Sequence, residues 1–347
     1  MKSVDSTAPA ICVASEDLES LSEEWSDLLQ ASGLASPFLR PSWLRVWHRT
    51  LAPDSDLLLL TVREDDRLIG IVPLSHRGDD LLLAGDSEIC DYMDIISPPH
   101  LIEIVLDAVL SGTAAGPWRR LILWGLRADS PTLAALPALA AEAGLSLETE
   151  IEAVCPRVNL PASWEDYLQS LSKKDRHELR RKIRRLGEAG QTREYALSDP
   201  SEVAAAMPDF LRLHTVSRQD KAEFMTPPMA LFFRQMTAEL SGEDLIRLYF
   251  LELDGQRVAS ALAFNCDGEL WLYNSGFDPA FASVSVGLVS KALVLRQAIS
   301  EGRTCYDFLR GAEPYKYDLG ARDLEVFRCT LLRTGVRESA GEVAHVV

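Results

Sequence analysis

Apolar and polar positions in the first half of this chain follow two periods, one helical and one strand-like. Helical spacing runs through 16–31, and a second helix begins at Pro41. The runs "LLLLTV" and "RLIGIVPLS" are joined by an acidic turn and predict two antiparallel strands. The segments 100–111 and 130–143 predict helices, with "RRLILWGL" as a strand between them. The pattern is that of a mixed α/β unit.

The second half of the chain repeats part of this plan. The segment 246–264, "IRLYFLELDGQRVASALAF", predicts two strands joined at Asp254-Gly255, a good two-residue hairpin signal. When the two hairpin turns are aligned, "RLIG" at 67–70 faces "RVAS" at 257–260. The sequence therefore predicts two copies of one α/β unit.

The rest of the second copy predicts a strand, a helix and a further strand. The strand "ELWLYNSGF" is followed by a helix over 286–301 and by the strand "CYDFLRG". Two strands with a helix between them are most simply parallel neighbours. Because the start of such a helix collects unpaired N–H groups, and small residues precede it here, this point suits an anion such as a pyrophosphate.

The boundary between the two copies is expected in "NLPAS" (159–163), where Ser163 is placed as a helix N-cap. We therefore predict an α/β (α+β) fold with one domain over 1–160 and a second over 161–347. A chain of 347 residues is also longer than most single cores grow.

Composition narrows the class of protein. Apolar residues make up 47% and charged residues 25%, as in ordinary globular proteins. The net charge of −17 disfavours nucleic-acid binding. No signal segment and no membrane span are recognisable, so we expect a cytoplasmic protein. The six cysteines and six histidines are scattered, which predicts reduced thiols and no metal site.

One segment is basic, although the chain as a whole is acidic. The stretch "KKDRHELRRKIRR" (173–185) carries eight Lys or Arg residues and two acids, and Ser172 can cap a helix that begins there. Its arginines, Arg180, Arg181 and Arg184, allow two interpretations. They form a solvated helix face, or they form an anion-binding wall for a phosphorylated or nucleotide-linked acceptor.

The order of elements in the second half resembles the core of the GNAT acetyltransferase superfamily. More narrowly, "DRHELRRKIRRLGEAG", "LRLHTVSRQDK" and "DFLRGAEPYKYDLG" resemble the CelD-like acetyltransferases, relatives of the Fem-type peptidoglycan transferases. The resemblance spans about residues 36–332. It implies two tandem GNAT-like units, each a mixed sheet flanked by helices, of which only the second keeps the acyl-donor site.

The resemblance implies acetyl-CoA or another acyl-CoA as co-substrate. Backbone N–H groups at Tyr273-Asn274-Ser275 would hold the carbonyl oxygen, and the pyrophosphate would lie at Ser285-Val286-Gly287-Leu288. The alternative for the glycine and serines is the chemistry of a helix start alone. Of the family pattern Q/R-x-x-G-x-G/A, the loop "SVSVGL" keeps only Gly287.

Lys316 lies in the turn Tyr315-Lys316-Tyr317 after the last strand of the second unit. It matches a lysine that Fem-type transferases keep at this point, where it stabilises negative charge. Tyr315 or Tyr317 is a candidate to protonate the leaving thiolate. The alternative is a surface lysine between packing tyrosines, and as a turn residue Lys316 is expected to bury little.

Asp307 and His214 are the remaining candidates for catalysis. Asp307 alternates with Cys305 and Leu309 on one face of a core strand, where a buried carboxylate needs a partner. We expect structural anchoring there rather than general-base catalysis. His214 shares the apolar stripe of a helix with Phe210, so it is either a satisfied core histidine or a general base beside the acceptor.

Three functions follow from these residues. The first is an acyl-CoA-dependent N-acyltransferase acting on an amine in envelope polysaccharide or glycoconjugate biosynthesis. The second is a Fem-like transfer of an aminoacyl group from tRNA, although the helical arm usual in those enzymes is not found in the sequence. The third is a non-catalytic GNAT-like module in polysaccharide assembly, which the reduced loop keeps open. The acceptor is not fixed by any motif.

Overall fold

A computed structural model of the chain describes residues 9–112, 114 and 116–333. The strands are β1 (Ile11–Ser15), β2 (Asp56–Glu64), β3 (Arg67–Arg77), β4 (Asp80–Leu83), β5 (Arg120–Arg127), β6 (Leu145–Asn159), β7 (Thr192–Leu197), β8 (Ile246–Leu253), β9 (Gln256–Cys266), β10 (Glu269–Phe277), β11 (Cys305–Asp307) and β12 (Arg322–Arg333). The α-helices are α1 (Ser22–Ser32), α2 (Pro41–Leu51), α3 (Ile102–Ser111), α4 (Pro131–Glu142), α5 (Trp164–Ser170), α6 (Lys173–Ala189), α7 (Pro200–Ser217), α8 (Gln219–Phe224), α9 (Pro227–Ser241), α10 (Val286–Ser300) and α11 (Pro314–Asp318). Short 3₁₀ helices lie at Pro37–Leu39, Pro99–Leu101 and Pro279–Val284.

These strands form one sheet in the order β1-β2-β3-β4-β5-β12-β6-β11-β10-β9-β8-β7. We match β1 with β7, β2 with β8, and so on to β6 with β12. With this matching, the order of the strands reads the same from either edge of the sheet. In both halves an antiparallel hairpin leads to a parallel pair, β4 with β5 and β10 with β11, and a helix connects each pair. The predicted α/β fold of two tandem units is therefore confirmed, including the parallel neighbours around α10.

The two units exchange their last strands at the centre of the sheet. β12, from the end of the second unit, pairs with β5 along one side and with β6 along the other. β6, from the end of the first unit, pairs in turn with β11. Hydrogen bonding thus runs without a break across the boundary expected at residue 160, and the division into 1–160 and 161–347 stays a prediction.

Helices cover both faces of the second unit. Leu248 and Phe250 on β8 point toward α7 and α9, whereas Tyr249 between them points toward α10, as the two-residue period of a strand requires. Helix α2 joins the units, since the Trp43 ring lies 5.3 Å from the ring of Phe232 on α9. None of the helices in the described ranges is long and apolar enough to cross a membrane.

Most predicted elements are confirmed, and two are shorter than expected. The first helix begins at Ser22 rather than at residue 16. The strand predicted over "CYDFLRG" stops at Asp307, because Leu309 turns to a positive φ of 55° and Gly311 to 109°. Ser163 and Ser172 cap α5 and α6 as predicted, each accepting a hydrogen bond from an aspartate N–H three residues on.

Candidate active site

The parallel pair β10–β11 opens into a fork after three paired positions. The last pair is Trp271 with Asp307, and beyond it the strands separate. On its other side β10 carries a bulge, because the register with β9 shifts between Leu272 and Asn274. Tyr273 therefore has no counterpart in that ladder, as expected for the extra residue of a bulge.

Two adjoining cavities occupy this region. The first, here called the fork cavity, has a volume of about 550 Å³ and includes Asp91, Asn274 and Arg310 in its wall. The second, here called the helix cavity, has a volume of about 270 Å³ and lies at the start of α10. Four residues belong to both walls: Lys221, Ser275, Glu313 and Tyr315.

The start of α10 places the predicted donor residues together. Ser285, Val286, Gly287 and Leu288 all line the helix cavity. Ser285 adopts the left-handed conformation (φ 59°, ψ 33°), and α10 begins directly after it without a side-chain cap. The first N–H groups of a helix have no partner within the helix and carry the positive end of its dipole. The arrangement is chemically suited to a phosphate group.

Gly287 leaves room for a neighbouring aromatic ring. A Cβ atom at this position would lie 2.7 Å from Cδ1 of Phe277, at the end of β10. The absent side chain therefore makes room for the Phe277 ring rather than for a ligand directly. Phe277 itself lines the helix cavity, so a side chain at 287 would act on that cavity through the ring.

Two lysines near the start of α10 were missed in the sequence. Lys291 is buried, and its Nζ donates to the Gly287 carbonyl oxygen at 2.9 Å. Burial lowers the pKa of Lys291 to about 7, and the charge of Lys221 adds to this effect. Lys221, on α8, donates from Nζ to the Ser275 carbonyl oxygen at 2.5 Å. The sequence does contain a sign of Lys291, because this lysine lies within the otherwise apolar helix "VGLVSKALVL".

Lys316 is buried, and the expectation of an exposed turn lysine is wrong. It lies in the short helix α11 with 2% of its surface exposed. Its Nζ donates to the carbonyl oxygens of Leu309, Arg310 and Gly311 at 3.0, 2.9 and 2.8 Å, and lies 2.9 Å from Oε2 of Glu313. An ammonium has three N–H donors, and these three carbonyl oxygens can accept from all of them. The catalytic role of Lys316 stays a prediction, and Tyr315 beside it lines both cavities.

Asp307 is fully buried, and its partners come from the first half of the chain. Oδ2 accepts from the Tyr92 hydroxyl at 2.9 Å and lies 3.2 Å from Nε of Arg157, on β6. Oδ1 accepts from the Leu309 N–H at 2.7 Å. Burial raises the pKa of Asp307 to about 6, although Arg157 opposes this shift. The carboxylate thus joins β6, β11 and the segment before α3, which is the anchoring position expected for it.

His214 contributes to the wall of neither cavity and reaches the fork only through Asn274. Its Nε2 lies 2.8 Å from Oδ1 of Asn274, so Nε2 carries the proton and donates. Its Nδ1 is buried without a hydrogen-bond partner in the described ranges. Burial, with the nearby charge of Lys221, lowers the pKa of His214 to about 4. The ring thus contacts the Asn274 amide, and the choice between a core histidine and a general base stays a prediction.

The basic helix α6 lies beside the helix cavity, but its predicted arginines face acids. Arg180 pairs with Glu165 at 2.7 Å, Arg181 with Glu178 at 2.6 Å, and Arg184 with Glu188 at 3.6 Å. Such exposed pairs contribute little to stability. A different arginine of this helix contacts the segment before α10, since Nη1 of Arg185 donates to the Ser283 carbonyl oxygen at 2.9 Å. The anion-binding wall at Arg180, Arg181 and Arg184 stays a prediction.

In the first unit, a tryptophan side chain connects the two parallel strands, β4 and β5. The Trp124 side chain lies between β4 and β5 and donates from Nε1 to the Leu83 carbonyl oxygen at 2.9 Å. Trp124 is buried there, with 3% of its surface exposed. Within the described residues, no group of three or more His, Cys, Asp or Glu side chains is placed to hold a metal ion.

Comparison with known proteins is consistent with this geometry. Residues 173–317 match the family described as "Acetyltransferase (GNAT) domain". This stretch runs from α6 to α11 and includes the fork, the wall of the helix cavity and most of the wall of the fork cavity. No match was found among curated proteins.

Solved structures share the fold across nearly the whole chain. FemX superposes with a TM-score of 0.62 at 10% identity over 88% of this chain and 95% of its own. The C-terminal domain of a putative lysylphosphatidylglycerol synthetase from Agrobacterium fabrum gives 0.54 at 12% identity, over 90% of this chain and 92% of that one. A tandem GNAT protein from the clavulanic acid biosynthesis pathway gives 0.52 at 13% identity, over 92% and 98%. These identities establish the fold alone.

Proposed function

We propose that the chain is an acyl-CoA-dependent N-acyltransferase, with acetyl-CoA as the first donor to test. The observation that carries the proposal is the junction of the two cavities at the fork between β10 and β11. The start of α10, which is chemically suited to a phosphate, lies on one side of this junction, and an open polar cavity lies on the other. The match of residues 173–317 to the GNAT domain supports the same function.

The helix cavity is the proposed donor site. The N–H groups of Val286 and Gly287 would hold the pyrophosphate, and the Lys291 side chain lies one turn further along α10. An acyl-CoA supplies the activated thioester. The backbone N–H of Tyr273, the bulge residue without a counterpart in the ladder with β9, is the candidate to donate to the carbonyl oxygen as negative charge develops there.

The fork cavity is the proposed acceptor site. Three acids lie in its wall: Glu88 and Asp91, from the loop after β4, and Glu313. Arg310 and Lys316 pair with Asp91 and Glu313, so Glu88 is the candidate to attract an ammonium group. The first unit thereby supplies part of the acceptor wall to the second. From the resemblance to the CelD-like group, we propose an amine on a cytoplasmic glycan precursor as the natural acceptor.

Calorimetry with acetyl-CoA and longer acyl-CoAs tests the donor, and thiol release with glucosamine, spermidine and lysine tests the acceptor. We expect micromolar donor binding that Gly287→Glu abolishes, because the new side chain displaces Phe277 and adds a negative charge. The matched control is Gly187→Glu, since Gly187 on α6 has nothing within 4 Å of its Cβ position. Absence of binding to any acyl-CoA would contradict the proposal. Tight binding of aminoacyl-tRNA instead would favour the Fem-like alternative, and donor binding without transfer would favour an idle module.

A further inference from the structure

We infer that Lys221 is the proton carrier of the acyl transfer, taking a proton from the acceptor ammonium and returning it to the leaving thiolate. The inference rests on the proposed function and adds to it the identity of the catalytic base. Of the catalytic candidates recognised in the sequence, only Tyr315 also lines both cavities. Burial raises the pKa of its hydroxyl, so this group is poorly suited to take a proton from the acceptor.

The position of Lys221 carries the argument. Lys221 lines both the fork cavity and the helix cavity, so it stands where an acceptor amine and a donor thioester would meet. One N–H of its Nζ is held by the Ser275 carbonyl oxygen at 2.5 Å. That bond fixes the amine at the fork and leaves its remaining positions free to face the cavities. By contrast, the three donors of Lys316 are occupied by backbone carbonyls.

The surroundings of Lys221 make its neutral amine more accessible than that of an ordinary lysine. No carboxylate lies within ion-pairing distance of its Nζ in the part of the chain that the structure describes, whereas Lys316 has Glu313 at 2.9 Å. Burial lowers the pKa of Lys221 to about 8, and the charge of Arg218 adds to this effect. The charged and titratable groups around it, on its own and neighbouring elements, are Arg218, Asp220, His214, Lys291 and Glu313.

The chemistry balances with this one group. The acceptor ammonium gives a proton to neutral Nζ, and the freed nitrogen lone pair attacks the thioester carbonyl to form the C–N bond. The C–S bond then breaks, and the thiolate takes the proton back from Nζ. The second proton of the attacking nitrogen leaves to water, so each turnover forms an amide and a thiol and releases one proton.

A pH–rate profile separates this role from a structural one. Thiol release from acetyl-CoA is measured with the best amine of the panel for wild type, Lys221→Arg and Lys221→Met. We expect wild-type kcat/KM to rise with pH toward about 8, because the neutral form of Lys221 is the active one. Both variants should lose about 100-fold or more and lose this rise, since arginine keeps the charge but does not give up its proton.

The matched control is Lys291→Met, which removes a lysine from the helix cavity only. It should weaken acetyl-CoA binding and keep the pH dependence. If Lys221→Arg retains kcat/KM within threefold of wild type with the same pH dependence, the inference is wrong. If wild type neither binds nor cleaves any acyl-CoA, the proposed function fails and the inference falls with it.

A direct titration of the Lys221 side chain tests the inference without an acceptor. Proteins carrying ¹³C-labelled lysine, with Lys221→Arg to assign the signal, report the protonation of Lys221 through the Cε chemical shift. We expect a midpoint near pH 8. A midpoint of about 10, as for an ordinary lysine, would overturn the inference even in a folded and active enzyme.

Discussion

Gly276 on β10 lies directly against the backbone of His214 on α7. A Cβ atom at residue 276 would lie 2.3 Å from the His214 backbone nitrogen, and both atoms belong to elements that cannot move aside easily. This close crossing brings α7 onto the strand that forms one arm of the fork. It also places the His214 ring where it can hold the Asn274 amide.

Gly276→Ala should therefore destabilise the protein by about 3 kcal/mol or more, at or above the usual cost of overpacking, because the clash is with backbone. Urea denaturation of the variant and of wild type measures the difference. The control is Gly187→Ala in helix α6, where nothing lies within 4 Å and a gain of about 0.5–1 kcal/mol is expected. An unchanged midpoint for Gly276→Ala would mean that α7 does not approach β10 in this way.

Lys316→Met should lower the free energy of unfolding by about 1–3 kcal/mol, because it leaves three backbone carbonyls without their donor. Thermal melting of the variant beside Lys174→Met, an exposed lysine of α6, provides the comparison. We expect the control to stay within about 0.5 kcal/mol of wild type. Equal melting temperatures for both variants would contradict the burial of Lys316.

Asp307→Asn should lower the free energy of unfolding by about 1–3 kcal/mol at pH 7, because the new amide N–H₂ group faces the Arg157 guanidinium. The raised pKa also gives a pH dependence. The native state holds the Asp307 proton more tightly than the unfolded state, so wild-type stability falls relative to the variant as pH rises from 3.8 to about 6. Denaturation of both proteins between pH 4 and 7 measures this trend. A stability difference independent of pH, or one that grows with pH, would show that Asp307 is ionised throughout.

Gly287→Ala should weaken acetyl-CoA binding by displacing the Phe277 ring, which lies 2.7 Å from the new Cβ position. In the double variant Gly287→Ala, Phe277→Leu, the smaller leucine side chain replaces the ring and should restore part of the affinity for acetyl-CoA. Calorimetry on both single variants and the double variant completes the cycle. Additive losses in the double variant would mean that Gly287 and Phe277 act separately on the donor.

The sequence pattern predicts those structural features that depend on residues close together in the chain. Hairpins with acidic turns, the helix caps at Ser163 and Ser172, and the parallel strands around α10 all depend on neighbours close in the chain. The partners of Asp307 could not be predicted, since Tyr92 lies 215 residues away and Arg157 belongs to the other unit. Lys316 was misjudged because its burial depends on how the chain folds back from Leu309 to Gly311. The exchange of β6 and β12 leaves no trace in hydrophobic periodicity.

That exchange has a consequence for the order in which the protein can be assembled. Ribosomes deliver the chain from its N-terminus, and β12 is made after every other strand described here. Until β12 emerges, β5 and β6 each keep one unpaired edge. The first unit therefore lacks the strand that lies between β5 and β6 in the complete sheet. Neither unit can be completed during synthesis on its own, so the last step closes both at once. Cleavage after residue 320 would expose the two edges to other chains and favour their aggregation.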